Sequence, residues 1–156
     1  DSKNALRQKL KIPQQKKVIY LGFGGWAADY TKLTLPQKYT YLIAGRDFNQ
    51  TTPNSKDYIG ASDLVITKGG YSTVAESIAA KVPIICATIP NSKETEITAA
   101  SVSKNLLGIR IKISELLDIN KLEESINKAL EIKPEPSAQF KQIGELQAVL
   151  ELEKLK

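Results

Sequence analysis

Short apolar runs, most of them unbroken rather than alternating, restrict this chain more than any other feature. They are Val18–Leu21, Tyr39–Ala44, Leu64–Thr67, Ile84–Ala87 and Ile109–Ile111. A strand with one wet face alternates apolar and polar residues. An unbroken run of four or so residues has both faces covered, as in a parallel sheet lying between helices. The intervals carry helical signals. Trp26–Leu33 follows the first run and stops before Pro36, and Thr73–Lys81 follows the third and stops before Pro83. Glu94–Leu107 follows the fourth and is expected to end at Gly108 as its C′ glycine. Asn120 and Glu123 have capping-box spacing for a helix over Lys121–Glu131, and Ser137 opens a last helix with Phe140, Ile143, Leu146 and Leu150 on one face. Strand alternating with helix predicts an α/β, doubly wound parallel sheet with helices on both faces. In such sheets ligands bind beyond the carboxyl ends of the strands.

The length, 156 residues, suits one domain over 1–156, with 132–156 as a C-terminal helical tail. Several chemistries are excluded by absence. With no histidine, the chain contains neither a Ser-His-Asp triad, nor a Cys-His pair, nor a His-ligated metal, and no metal site is expected. Cys86 is alone, so no intrachain disulfide forms and a reducing, cytoplasmic setting fits. The opening residues do not read as a secretory signal, and no apolar run approaches a membrane span. Asp1 in place of an initiator methionine gives the expectation of a domain from a longer protein. The net charge is +5, with six Lys/Arg against two acids in residues 1–30. That excess reads as a solvated lysine-rich face, with attraction to phosphate, nucleic acid or an anionic membrane as the alternative.

Three loops fall at the expected ligand edge. The first is Gly22-Phe23-Gly24-Gly25-Trp26-Ala27, where glycines admit close backbone approach and a helix N-terminus follows, an arrangement suited to a diphosphate. Its spacing also satisfies G-x-G-x-x-A, and Asp47 stands twenty residues beyond Ala27, so a dinucleotide-binding oxidoreductase is an alternative, as is a ligand-free tight turn. The second is Lys68-Gly69-Gly70-Tyr71-Ser72-Thr73, followed by Glu76. Thr73 and Glu76 have capping-box spacing, so Glu76 either bonds back to the backbone or offers its carboxylate to a vicinal diol. The third, Ile89–Glu96, ends in Glu94 and Glu96, which are either dipole partners of a helix start or ligands for sugar hydroxyls.

Read together, residues 63–80 (DLVITKGGYSTVAESIAA) resemble the donor-site signature of GT-B glycosyltransferases, closest to the branch of the peptidoglycan N-acetylglucosaminyltransferase. The turn at 22–25, the strand entry at Val82-Pro83 and the loop from Pro90 to Glu96 follow in the family's order, and the resemblance covers about residues 5–108. It implies half of a GT-B fold, the Rossmann-like C-terminal domain that holds a nucleotide-diphosphate sugar, here a UDP-sugar, for hexosyl transfer to an acceptor. By position it implies Gly24, Gly25, Gly69, Gly70, Ser72 and Thr73 around the diphosphate, Glu76 on the ribose, and Glu94 and Glu96 toward the sugar. Two positions depart from the pattern: Trp26 stands where a serine is usual, and Ile97 follows Glu96 where a glutamine is usual. No cofactor and no nucleic-acid partner are implied. The acceptor half is expected on a missing N-terminal domain or a partner subunit, with peripheral membrane contact through a lipid-linked acceptor. The catalytic base is expected there too, so no catalytic residue is assigned in this chain. The remaining alternative is a non-catalytic nucleotide-binding subunit.

Overall fold

The computed structural model describes residues 2–23, 33–44 and 55–135. The expected helix from Trp26, the residues Gly24, Gly25 and Asp47 and the terminal helix from Ser137 lie outside the described residues, as does the stretch 50–55, expected as a loop, apart from Ser55, which begins a helix. Five strands, β1 (Val18–Gly22), β2 (Thr40–Ile43), β3 (Leu64–Thr67), β4 (Ile84–Thr88) and β5 (Gly108–Lys112), form one sheet in the order β2-β1-β3-β4-β5. Every pairing is parallel, so the fold is the expected Rossmann-like α/β sheet. The strand order reverses direction between β1 and β3. There the register sets Gly22 opposite Thr67 at the carboxyl ends. Helices α1 (Lys3–Lys9), α2 (Ser55–Ala61), α3 (Tyr71–Ala79), α4 (Lys93–Lys104) and α5 (Ile119–Leu130) flank the sheet, with a 3₁₀ turn at Ile113–Leu117. No described helix is long and apolar enough to cross a membrane.

The apolar runs are buried on both sides because their side chains alternate between two cores. Ile19, Leu21, Leu64, Ile66, Ile85 and Ala87 pack on one face with Leu122, Ile126 and Ala129 of α5. The other face divides into three clusters. Val18 meets Leu6 of α1 and Ala61 of α2, Tyr20 and Val65 meet Ile59, and Ile84 and Cys86 meet Val74, Ala99 and Val102 of α3 and α4.

Three expected helix boundaries are corrected. Gly108 is not the C′ residue of α4 but the first residue of β5, where a Cβ would fall 1.9 Å from the Ile84 carbonyl oxygen. The left-handed C′ residue is Leu106, at φ 55°. α1 and α3 end the same way, at Lys11 (φ 55°) and Lys81 (φ 54°). In each case the residue after C′ donates its N–H back across the last turn: Ile12 to Arg7, Val82 to Ser77, Leu107 to Val102. That residue is apolar and buried in all three, so its burial holds the preceding residue left-handed without glycine. The cap of α5 is Asp118 rather than the Asn120–Glu123 pair; its carboxylate accepts from the Asn120 and Lys121 N–H groups, and Glu123 pairs instead with Lys38. α3 begins at Tyr71 with Gly70 as its N-cap, so Thr73 and Glu76 form no capping box. α1 and α2 were not expected at all; each is only seven residues long.

The amino-terminal edge of the sheet is fastened by one carboxylate. Asp63, just before β3, accepts from Arg7 of α1 at 2.6 Å and from the Val18 N–H of β1 at 2.8 Å. Arg7 also donates to the Ala61 carbonyl at 2.8 Å. Burial alone would raise the Asp63 carboxyl, but the Val18 N–H, the Arg7 guanidinium and the Lys3 charge outweigh it and hold it below the usual carboxylate range. The stabilisation is therefore complete above the unfolded value of about pH 4 and is lost as pH falls through the lower folded value. Asp63→Ala leaves the Arg7 guanidinium buried and unpaired, and is expected to cost about 3–5 kcal/mol in urea denaturation at neutral pH. Between pH 5 and pH 2 the variant's stability should fall less than that of the native chain; parallel acid limbs would show that Asp63 is not the group lost.

Candidate functional site

The parallel sheet brings the ends of β3 and β4 to one edge, and a cavity of about 430 Å³ opens between them. Lys68 and Gly70 line it from the β3 side; Ile89, Ser92, Glu94 and Thr95 line it from the β4 side. Both walls follow from local sequence. Gly69 has φ +81°, and a Cβ on it would meet the Cys86 sulfur at 2.8 Å, so glycine is required there twice over. The turn delivers Gly70 to the N-cap of α3, and among the described residues nothing but its chain neighbours lies within 4 Å of where its Cβ would be. α3 thus begins beside the cavity, with its first N–H groups at the positive end of the helix dipole. Opposite, Thr95 braces the loop after β4: its hydroxyl accepts from the Ile89 N–H at 3.1 Å and donates to the Ser92 carbonyl at 3.1 Å. That places Glu94, in the first turn of α4, facing the β3 loop.

Of the nine residues singled out from sequence, Gly70 and Glu94 line the cavity. Gly69, Gly70, Ser72 and Thr73 form the entry to α3, and Glu94 lies across the cavity. Glu76 sits farther along α3, half-buried, where its carboxylate accepts from the Ser55 hydroxyl at 2.9 Å. Glu96 does not line the cavity; it pairs with Arg110 of β5 at 3.2 Å, with both side chains about half exposed. Gly24 and Gly25 lie outside the described residues.

Other features emerge only in three dimensions. Lys68, Ser92 and Thr95 lie in the second and third candidate loops but were given no role there, yet they supply most of the polar lining. Ser55 gave no signal, because its partner lies 21 residues away on another helix. Cys86 lies directly beneath Gly69, but burial pushes its thiol up to about 12, against a smaller opposing effect of the Arg110 charge. It remains a neutral thiol near pH 7 and is unsuited to nucleophilic work. Thr67, the last residue of β3, has a buried hydroxyl with no hydrogen-bond partner among the described residues.

A buried hydroxyl without a partner costs about 1–3 kcal/mol, and an apolar group of the same shape removes the cost. Thr67→Val is therefore expected to be neutral or stabilising, by up to about 2 kcal/mol, in urea denaturation. A clear loss of stability would mean that the hydroxyl has a partner in the native fold.

Residues 24–153 match the family model described as "Glycosyltransferase family 28 C-terminal domain". Among curated proteins, the chain is 30% identical over 96 residues to L-arabinokinase of Arabidopsis thaliana, covering 54% of this chain and 9% of that protein. It is 30% identical over 80 residues to an uncharacterised glycosyltransferase of Methanopyrus kandleri, covering 51% of this chain and 23% of that protein. In structure it is similar to MurG of Acinetobacter baumannii, with a TM-score of 0.59 at 14% identity, over 100% of this chain and 54% of MurG. The chain thus spans less than a quarter of the length of either curated relative and about half of the solved structure.

Proposed function

Since the chain belongs to the glycosyltransferase family 28 C-terminal domain family, the C-terminal half of a GT-B glycosyltransferase, we propose that it binds a nucleotide-diphosphate sugar, a UDP-sugar, as donor for hexosyl transfer. The observation that carries this reading is the cavity at the β3 and β4 ends, with the α3 N-cap Gly70 and Lys68 on one wall and Glu94 on the other. As the glycosidic bond breaks, negative charge grows on the departing diphosphate. Backbone N–H groups fixed at a helix start, together with a lysine, stabilise that charge without having to reorganise.

In this reading Gly69, Gly70, Ser72 and Thr73 hold the diphosphate, with Gly24 and Gly25 completing the cradle from the β1 side. Glu76 takes the ribose hydroxyls. Glu94 meets the sugar. Glu96 joins it only by giving up Arg110, a half-exposed pair that holds it weakly. The acceptor and the general base belong to the other half of the cleft, on an N-terminal domain or a partner subunit. A lipid-linked acceptor would place the assembly at the cytoplasmic face of a membrane.

The chain alone is expected to bind UDP in calorimetry and to transfer no sugar to an ordinary acceptor. Half a cleft lacks the positioning contribution, which is worth about 7–11 kcal/mol. Robust transfer by the isolated chain would put the catalytic groups within these residues.

Glu76→Gln tests the most specific assignment. It removes a charge-assisted pair of hydrogen bonds and should weaken UDP binding about ten- to a hundredfold. Thermal stability should stay nearly unchanged, since Glu76 caps nothing. Unchanged UDP affinity with lowered stability would make Glu76 a structural residue.

A further inference from the structure

The carboxylate of Glu76 is held before any ligand arrives. Glu76 belongs to α3 and Ser55 is the first residue of α2; the two helices pack side by side on one face of the sheet. The Ser55 hydroxyl crosses between them and donates to one oxygen, Oε2, at 2.9 Å. Among the described residues this is the one hydrogen bond given to that carboxylate.

A glutamate side chain that must be ordered on binding loses rotamer freedom at that moment, and a prior hydrogen bond removes part of that loss. An ionised carboxylate has about four acceptor positions. One serine hydroxyl occupies one of them on Oε2 and leaves Oε1 open to a ligand.

We propose that Ser55 is a positioning residue that fixes the Glu76 carboxylate to receive the two hydroxyls of a nucleotide ribose. The proposal rests on the donor-binding reading given above and adds to it a residue outside the glycine-rich loops. Ser55 acts through Glu76 and touches no reacting atom.

The test is a double-mutant cycle on the whole chain, read by calorimetry with UDP and 2′-deoxy-UDP. Ser55→Ala should weaken UDP binding about three- to tenfold, the range of one ordinary hydrogen bond. It should weaken 2′-deoxy-UDP less, because one of the hydroxyls that the carboxylate receives is gone. In a Glu76→Gln background Ser55→Ala should add little, since coupled residues are non-additive. Ser55→Thr and Ser55→Val have the same shape and differ in the hydroxyl, so threonine should retain UDP affinity and valine should lose it even if alanine disturbs α2.

Equal losses for both nucleotides, additive losses in the cycle, or no difference between threonine and valine would each overturn the positioning role. Failure of the native chain to bind UDP, or binding that Glu76→Gln leaves unchanged, would instead overturn the donor or ribose reading beneath it.

Discussion

Parallel pairing of strands that are buried on both faces is the constraint from which the rest of this structure follows. Residues such as Ile19 and Tyr20 cannot both be covered unless helices lie on each side of the sheet. Parallel strands then force every connection to cross from one edge to the other. The loops leaving β1, β3 and β4 therefore share an edge. The starts of α3 and α4 share that edge too, since each runs back against the strand before it. The reversal of strand order between β1 and β3 is the place where neighbouring connections diverge and leave a crevice. Gly22 and Thr67 face one another there, and the cavity opens beside them at the adjoining β3 and β4 ends.

Charge is divided between the two edges. At the amino edge, Asp63 is committed to Arg7 and the Val18 N–H and is shielded from competing work. At the carboxyl edge, Lys68 and Glu94 border a cavity rather than a packed core. The ion pair that fastens the fold and the residues that line the cavity are thus different groups at opposite ends of the same strands. Substitutions at the two ends should combine nearly additively.

Much of this was legible in sequence, for a physical reason. Unbroken runs such as Leu64–Thr67 carry their own evidence of two-sided burial, and that strand lies where it was expected. The Gly-Gly turn after it was legible because only a left-handed residue under a close sulfur needs what Gly69 provides. Helix ends were misread at Gly108 because the stop is written in the buried residue after C′, Leu107, and not in a glycine. Ser55 and Thr67 were invisible because hydroxyls have no periodicity, and their meaning depends on what the fold places beside them. The pattern G-x-G-x-x-A by itself supported an oxidoreductase as well; the family match, which takes in the second glycine turn, decided for a glycosyltransferase.

The three helix stops at Lys11, Lys81 and Leu106 have a consequence for how the chain tolerates change. Each lies on the connection into the next strand, and each is a left-handed residue that keeps its Cβ and long side chain. The requirement there falls on the apolar neighbour that follows, so the stop itself accepts many residue types. At the opposite edge Gly69 accepts none, because backbone angle and the Cys86 sulfur both forbid a side chain. Random substitution should therefore be borne at these three stops and rejected at Gly69. A saturation library screened for folding alone, with no ligand present, would already outline the cavity's β3 wall.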